Sequence, residues 1–179
     1  MMVMLVYVDD RKKSYESVED FFGDMCDSLS LDHRVEYVFV TPDEIKDMTF
    51  EPDAKGNQPT RKGKFTRALT QKIKALFEEC RRERPSGDFR VVLLFDNYME
   101  LSGGKFYLED YISDLWKLPT DSWLGKSPII IWANDPERKH LVDLVRVHPR
   151  ERSSVVPNYP SFGELGLAQF ETAIKNALK

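Results

Sequence analysis

Cysteine is scarce in this chain of 179 residues: Cys26 and Cys80 are the only two, with no Cys-x-x-Cys pair and no Cys/His cluster. That pattern excludes a zinc site and a redox pair, and since each cysteine falls in an amphipathic stretch, both are expected to be buried thiols. Long apolar runs are missing too. No segment reaches the roughly 20 residues needed to cross a bilayer, and the Met1–Val8 run is followed by acids rather than a cleavage site. A soluble, cytoplasmic protein with no membrane contact is expected. An excess of base is also absent, with 26 Lys and Arg against 30 Asp and Glu and a net charge of −4. Phosphate neutralisation needs a basic face, so nucleic acid is not an expected partner; the cluster Arg61, Lys62, Lys64 and Arg67 reads as a solvated junction. Motif glycines are lacking as well: Gly103-Gly104 has no phosphate-loop lysine, and Ser102 sits in no G-x-S-x-G elbow. The histidines His33, His140 and His148 are scattered, and none is nominated for chemistry.

What the chain does have is a hydrophobic share of 41%, enough for one ordinary core spanning residues 1–179. Its organising stretch is Val91-Val92-Leu93-Leu94-Phe95, an unbroken apolar run that ends on Asp96. Val3–Val8 likewise runs into Asp9-Asp10, and Ile129–Trp132 into Ala133-Asn134-Asp135. Continuous runs of this kind read as strands buried on both faces, the pattern of a parallel sheet. Arg34–Val40 reads as the second strand and Val155–Pro160 as the fifth. Between the strands lie helical stripes: Val18, Phe21, Phe22, Met25; then Phe65, Leu69, Ile73, Leu76; then Leu108, Tyr111, Ile112, Leu115; then Leu141, Leu144, Val145; and a closing helix over Gly166–Lys179. An inserted, exposed loop is expected around 42–64, with its least ordered part at Thr49–Lys64. The order, strand then helix five times, predicts an α/β fold: a doubly wound, five-stranded parallel sheet in flavodoxin-like order 2-1-3-4-5.

In such a sheet every strand-to-helix turn opens on one edge, so Asp9, Asp10 and Asp96 are expected within a few ångströms of each other there. Three close carboxylates repel and are tolerable with raised pKa values or with a cation among them; the cation is the simpler assumption.

The acidic pair after the first strand, Asp96 after the third, Met99 three positions on and Gly104 eight positions on resemble the receiver domain of two-component response regulators. The resemblance runs through Pro128–Ala133 and Val155–Pro160 and so covers nearly the whole chain. It implies that Asp96 takes a phosphoryl group from a histidine kinase or small phosphodonor. It also implies Mg²⁺ held by Asp10, Asp96 and the Tyr98 carbonyl, with Asp9 in the outer shell. Two parts of the family mechanism are not in place. The hydroxyl-bearing switch position falls on Ala133, and Tyr159 stands before Pro160, where the family carries lysine. With neither hydrogen bond nor cation for the phosphoryl group, the favoured reading is a degenerate receiver, a signalling and interaction module rather than an enzyme. The resemblance places protein docking on Arg138, Lys139, Arg146, Arg150, Tyr159 and Phe162, aromatic residues among basic ones. Alternatives are a working phospho-accepting regulator and a metal-dependent phosphohydrolase or phosphotransferase. Asp9-Asp10-Arg11 lacks the Asp-x-Asp of haloacid-dehalogenase-type enzymes.

Overall fold

Every residue of β1 (Met2–Val8) is buried, from 0% to 5% exposed, so the strand has no solvent face. The computed structural model describes residues 1–8, 15–96, 100–101, 104–105, 127–133, 143, 152–157 and 164–179. Within them, α1 (Tyr15–Ser28) leads to β2 (Asp32–Val38), then α2 (Pro42–Asp47), α3 (Arg61–Glu83) and β3 (Phe89–Asp96). A two-residue antiparallel ladder, β4 (Glu100–Leu101) with β5 (Gly104–Lys105), precedes β6 (Ile129–Ala133), β7 (Ser154–Pro157) and the closing α4 (Glu164–Ala177). The expected helices around Leu108–Leu115 and Leu141–Val145 lie outside the described residues.

The class is the expected one, α/β with a parallel sheet. Four strands form its body in the order β2-β1-β3-β6, and the short β7 pairs parallel along the outer side of β6. Side chains alternate across this sheet. Met4, Val6, Leu93, Phe95, Ile129 and Ile131 face Leu69, Ile73 and Cys80 of α3. Leu5, Tyr7, Val92, Leu94 and Ile130 face α1 through Phe22, Met25 and Cys26, and α4 through Phe170 and Ile174. The second layer is tightened by an aromatic cluster, with Phe22 and Phe170 at 5.3 Å and Phe21 edge-on to both. Each such ring buried in full contributes about 1.5–3 kcal/mol. As expected, both thiols are buried, one in each layer.

Element bounds differ from the sequence pattern where local hydrogen bonding overrides it. β2 sits two residues earlier than Arg34–Val40, because the chain turns away after Val38: the Phe39 carbonyl accepts from Lys72 Nζ at 2.7 Å. Thr41 then caps α2. The segment expected as loop to Lys64 becomes helix at Arg61, because Thr60 caps α3 by accepting from the Gly63 N–H. The stretch between α2 and α3 carries a built turn. Asp53 Oδ1 accepts from the Lys55 and Asn57 N–H groups, and Gly56 takes the positive φ of 79° that closes it.

α1 ends with the Leu31 N–H on the Cys26 carbonyl at 2.9 Å, which places Ser30 in the left-handed region at φ 54°. That conformation costs a residue with a Cβ about 1 kcal/mol relative to glycine. Ser30→Gly is therefore expected to raise stability by up to about 1 kcal/mol, or roughly 2–4 °C in Tm for a chain of this size, checked by thermal denaturation. An unchanged or lower Tm would show that the turn is not strained.

Candidate functional site

The carboxyl edge of the sheet is set by register. β1 pairs with β3 from Met2↔Phe89 to Val8↔Phe95, so the two strands end side by side, with Asp96 the last residue of β3. Asp96 is also in register with Trp132, one residue short of Ala133 at the end of β6. From β1 the chain passes to β2 on one side; from β3 it passes to β6 on the other. The β1/β3 junction is thus a topological switch point, the place where open α/β sheets bind ligands. Asp96 is brought to it by strand geometry alone.

Asp9, Asp10 and Tyr98 lie outside the described residues, as do Tyr159 and the docking residues Arg138, Lys139, Arg146, Arg150 and Phe162. Ala133 is described as the carboxyl end of β6, paired with Pro157. Among the described residues no three His, Cys, Asp or Glu side chains gather to hold a metal ion. Two of the three acids of the expected pocket are not among them.

Polar structure absent from the sequence expectations surrounds β2. Arg34, in mid-strand, donates from Nη2 to Glu79 Oε1 at 2.7 Å and from Nη1 to Glu83 Oε2 at 3.2 Å, and it also bonds Glu36. The Glu79 and Glu36 hydrogen bonds raise the guanidinium's pKa, and Arg34 in turn holds the Glu79 carboxyl below its ordinary value. At the carboxyl end of β2, Lys72 Nζ donates to Glu44 Oε1 at 2.6 Å as well as to the Phe39 carbonyl. Glu44 Oε2 accepts from the Thr41 N–H at 2.7 Å, completing a capping box. One signal for this was present: Thr41-Pro42-Asp43-Glu44 fits the S/T-x-x-E pattern. The alternation Arg34-Val35-Glu36-Tyr37 was another, since it marks a strand less enclosed than β1 or β3.

Two cavities flank β2, one on each face of the sheet. Beside α1 is a groove of about 550 Å³ lined mainly by acids, Asp20, Asp24, Asp27 and Glu36, together with His33 and Arg34. Beside α3 is a groove of about 270 Å³ lined by Tyr37, Val38, Phe39, Lys72, Ala75, Leu76 and Glu79, more apolar than polar. The thiols offer no nucleophile. Burial, with Asp27 adding to it, pushes Cys26 up to about 11, and desolvation also raises Cys80, whose Sγ lies 3.2 Å from Met4 Sδ. No family model, curated protein or solved structure matches this chain.

Burial alone would raise the Glu44 pKa, but the bonds from Lys72 and Thr41 outweigh it and hold the carboxyl below its ordinary value. A group depressed on folding contributes stability that is complete above its unfolded value, about 4.3, and is lost as pH falls through the folded one. Glu44→Gln is therefore expected to lower Tm at neutral pH, with the gap to the parent chain closing toward about pH 3. A gap that stays constant over that range would show that the carboxylate charge contributes nothing.

Proposed function

We propose that the chain is a receiver-like signalling module in which the switch point between β1 and β3 forms an acidic, Mg²⁺-type pocket and output is by protein docking. The observation that carries this reading is the register Val8↔Phe95, which ends the strands preceding Asp9-Asp10 and containing Asp96 side by side on one edge. Reading the short β7 as a fifth strand gives the flavodoxin-like order 2-1-3-4-5, which belongs to the same proposal.

The donor types suit a hard cation: Asp10 and Asp96 would supply carboxylate oxygens and Tyr98 a backbone carbonyl, with Asp9 in the outer shell. Mg²⁺ held by them would supply neutralisation of charge on phosphoryl oxygens. Asp96 is the group that would accept a phosphoryl group, one carboxylate oxygen bonding phosphorus as the donor's nitrogen or oxygen leaves with its electron pair. What this chain lacks is the means to hold the product. Ala133 ends β6 without a hydroxyl, and Tyr159 stands at the lysine position, so the hydrogen bond and the cation that these two positions supply in receivers are missing from the sequence. Each missing charge-assisted bond forgoes about 1.5–3 kcal/mol. The reading that follows is a module held in one state, with Asp96 a poor phosphoacceptor. Its partner would be a signalling protein, and a histidine kinase is one kind that fits.

Titration of the protein with Mg²⁺ by calorimetry is expected to show weak binding that Asp96→Asn largely removes. Equal binding by parent and variant would refute the pocket. With acetyl phosphate and Mg²⁺, intact mass is expected to show little or no added phosphate, and Ala133→Thr with Tyr159→Lys to recover some. Stoichiometric labelling of the unaltered chain at Asp96 would replace the degenerate reading with a working phospho-switch.

A further inference from the structure

β2 is the outermost strand of the sheet: it pairs with β1 through all seven residues, and among the described residues nothing pairs with its other side. An edge strand presents a row of backbone donors and acceptors, and proteins ordinarily blunt such an edge with proline, a bulge or an exposed lysine. Asp32–Val38 contains neither proline nor lysine, and its register with β1 runs unbroken. Its central basic residue is not free to block approach, since Arg34 is tied back to Glu36, Glu79 and Glu83.

The two cavities give this edge a pattern. Along His33–Glu36 the α1 face is lined by the exposed carboxylates Asp20, Asp24 and Asp27. Along Tyr37–Phe39 the opposite face is lined by Ala75 and Leu76. A strand laid beside β2 would point alternate side chains to opposite faces. One part of it would thus direct side chains into an acidic groove, and the next part would direct the others into an apolar one.

A second copy of this chain is a poor occupant. Two β2 edges paired about a two-fold axis would set both α1 helices on the same face, with Asp20, Asp24 and Asp27 of each facing those of the other, and like charges so placed repel. A basic partner removes that cost. We infer that the outer edge of β2, which no described strand pairs with, is a docking site for an extended segment of another protein, added as a further strand, with Lys or Arg facing α1 over one half and β-branched apolar residues facing α3 over the other. Backbone bonds would supply affinity and the two grooves specificity. This site is remote in chemistry from Asp96, and the inference stands or falls without it.

The test uses the full chain and a fluorescein-labelled peptide Lys-Thr-Lys-Val-Thr-Val, with its reversed sequence to cover both strand directions, read by fluorescence anisotropy. Saturable binding of one order is expected. Replacing the two threonines by proline keeps the charge but removes backbone donors, and should abolish binding. Asp24→Lys with Asp27→Lys, both at exposed positions, should weaken binding about tenfold or more, and Ala75→Trp, which fills the apolar groove, should weaken it too. Far-UV circular dichroism identifies any variant that fails to fold. Amide exchange should slow in β2 when the peptide is present. Equal binding of the proline peptide would reduce the effect to charge alone and overturn the inference, as would the absence of binding by either order. A dimer in solution with β2 amides already protected would overturn it in favour of self-pairing.

Discussion

A strand with no exposed side requires cover on both faces, and β1 and β3 impose that requirement on the rest of this chain. Residues 2–8 and 91–95 are all buried, almost without polar side chains, so neither face of the central pair can be left to water. The helices α1 and α4 answer on one side and α3 on the other. Because each crossover must return along the sheet, the strands grow outward in opposite directions from the β1/β3 pair, and the divergence point falls where both strands end. The position of Asp96 is thus a by-product of burying Val91–Phe95.

This is also why part of the fold was legible in the sequence and part was not. Runs such as Val3–Val8 and Val91–Phe95 have few alternatives to a central parallel strand, and the stripes of α1, α3 and α4 follow the helical period. Boundaries were harder, because they depend on single bonds. Thr60 caps α3 five residues before its first buried aromatic, Phe65, and Lys72 ends β2 by taking the Phe39 carbonyl from across the α3 face. Asp96 was legible as a strand end because the apolar run Val91–Phe95 stops at it. The ties of Arg34 to Glu79 and Glu83 span 45 and 49 positions of sequence, and no local period announces them.

Charge around β2 works differently from charge on an ordinary surface. Arg34 and Lys72 both anchor the same strand to α3, one at its middle and one at its end, and each satisfies more than one acceptor. Isolated surface pairs contribute little; here Lys72 also meets the Phe39 carbonyl, and Arg34 gathers three carboxylates that would otherwise repel one another. The acids Asp20, Asp24 and Asp27 of α1 border the same strand from the other face of the sheet.

The placement of the two thiols gives the molecule a property unrelated to chemistry at either site. Cys26 belongs to the layer of α1 and α4 and Cys80 to the layer of α3, and both are closed off by burial in the folded state. A maleimide-type reagent reaches either one only when its own layer lifts from the sheet. The two modification rates are therefore independent clocks on the two sides of one sheet, and their ratio reports whether the layers detach together or in sequence.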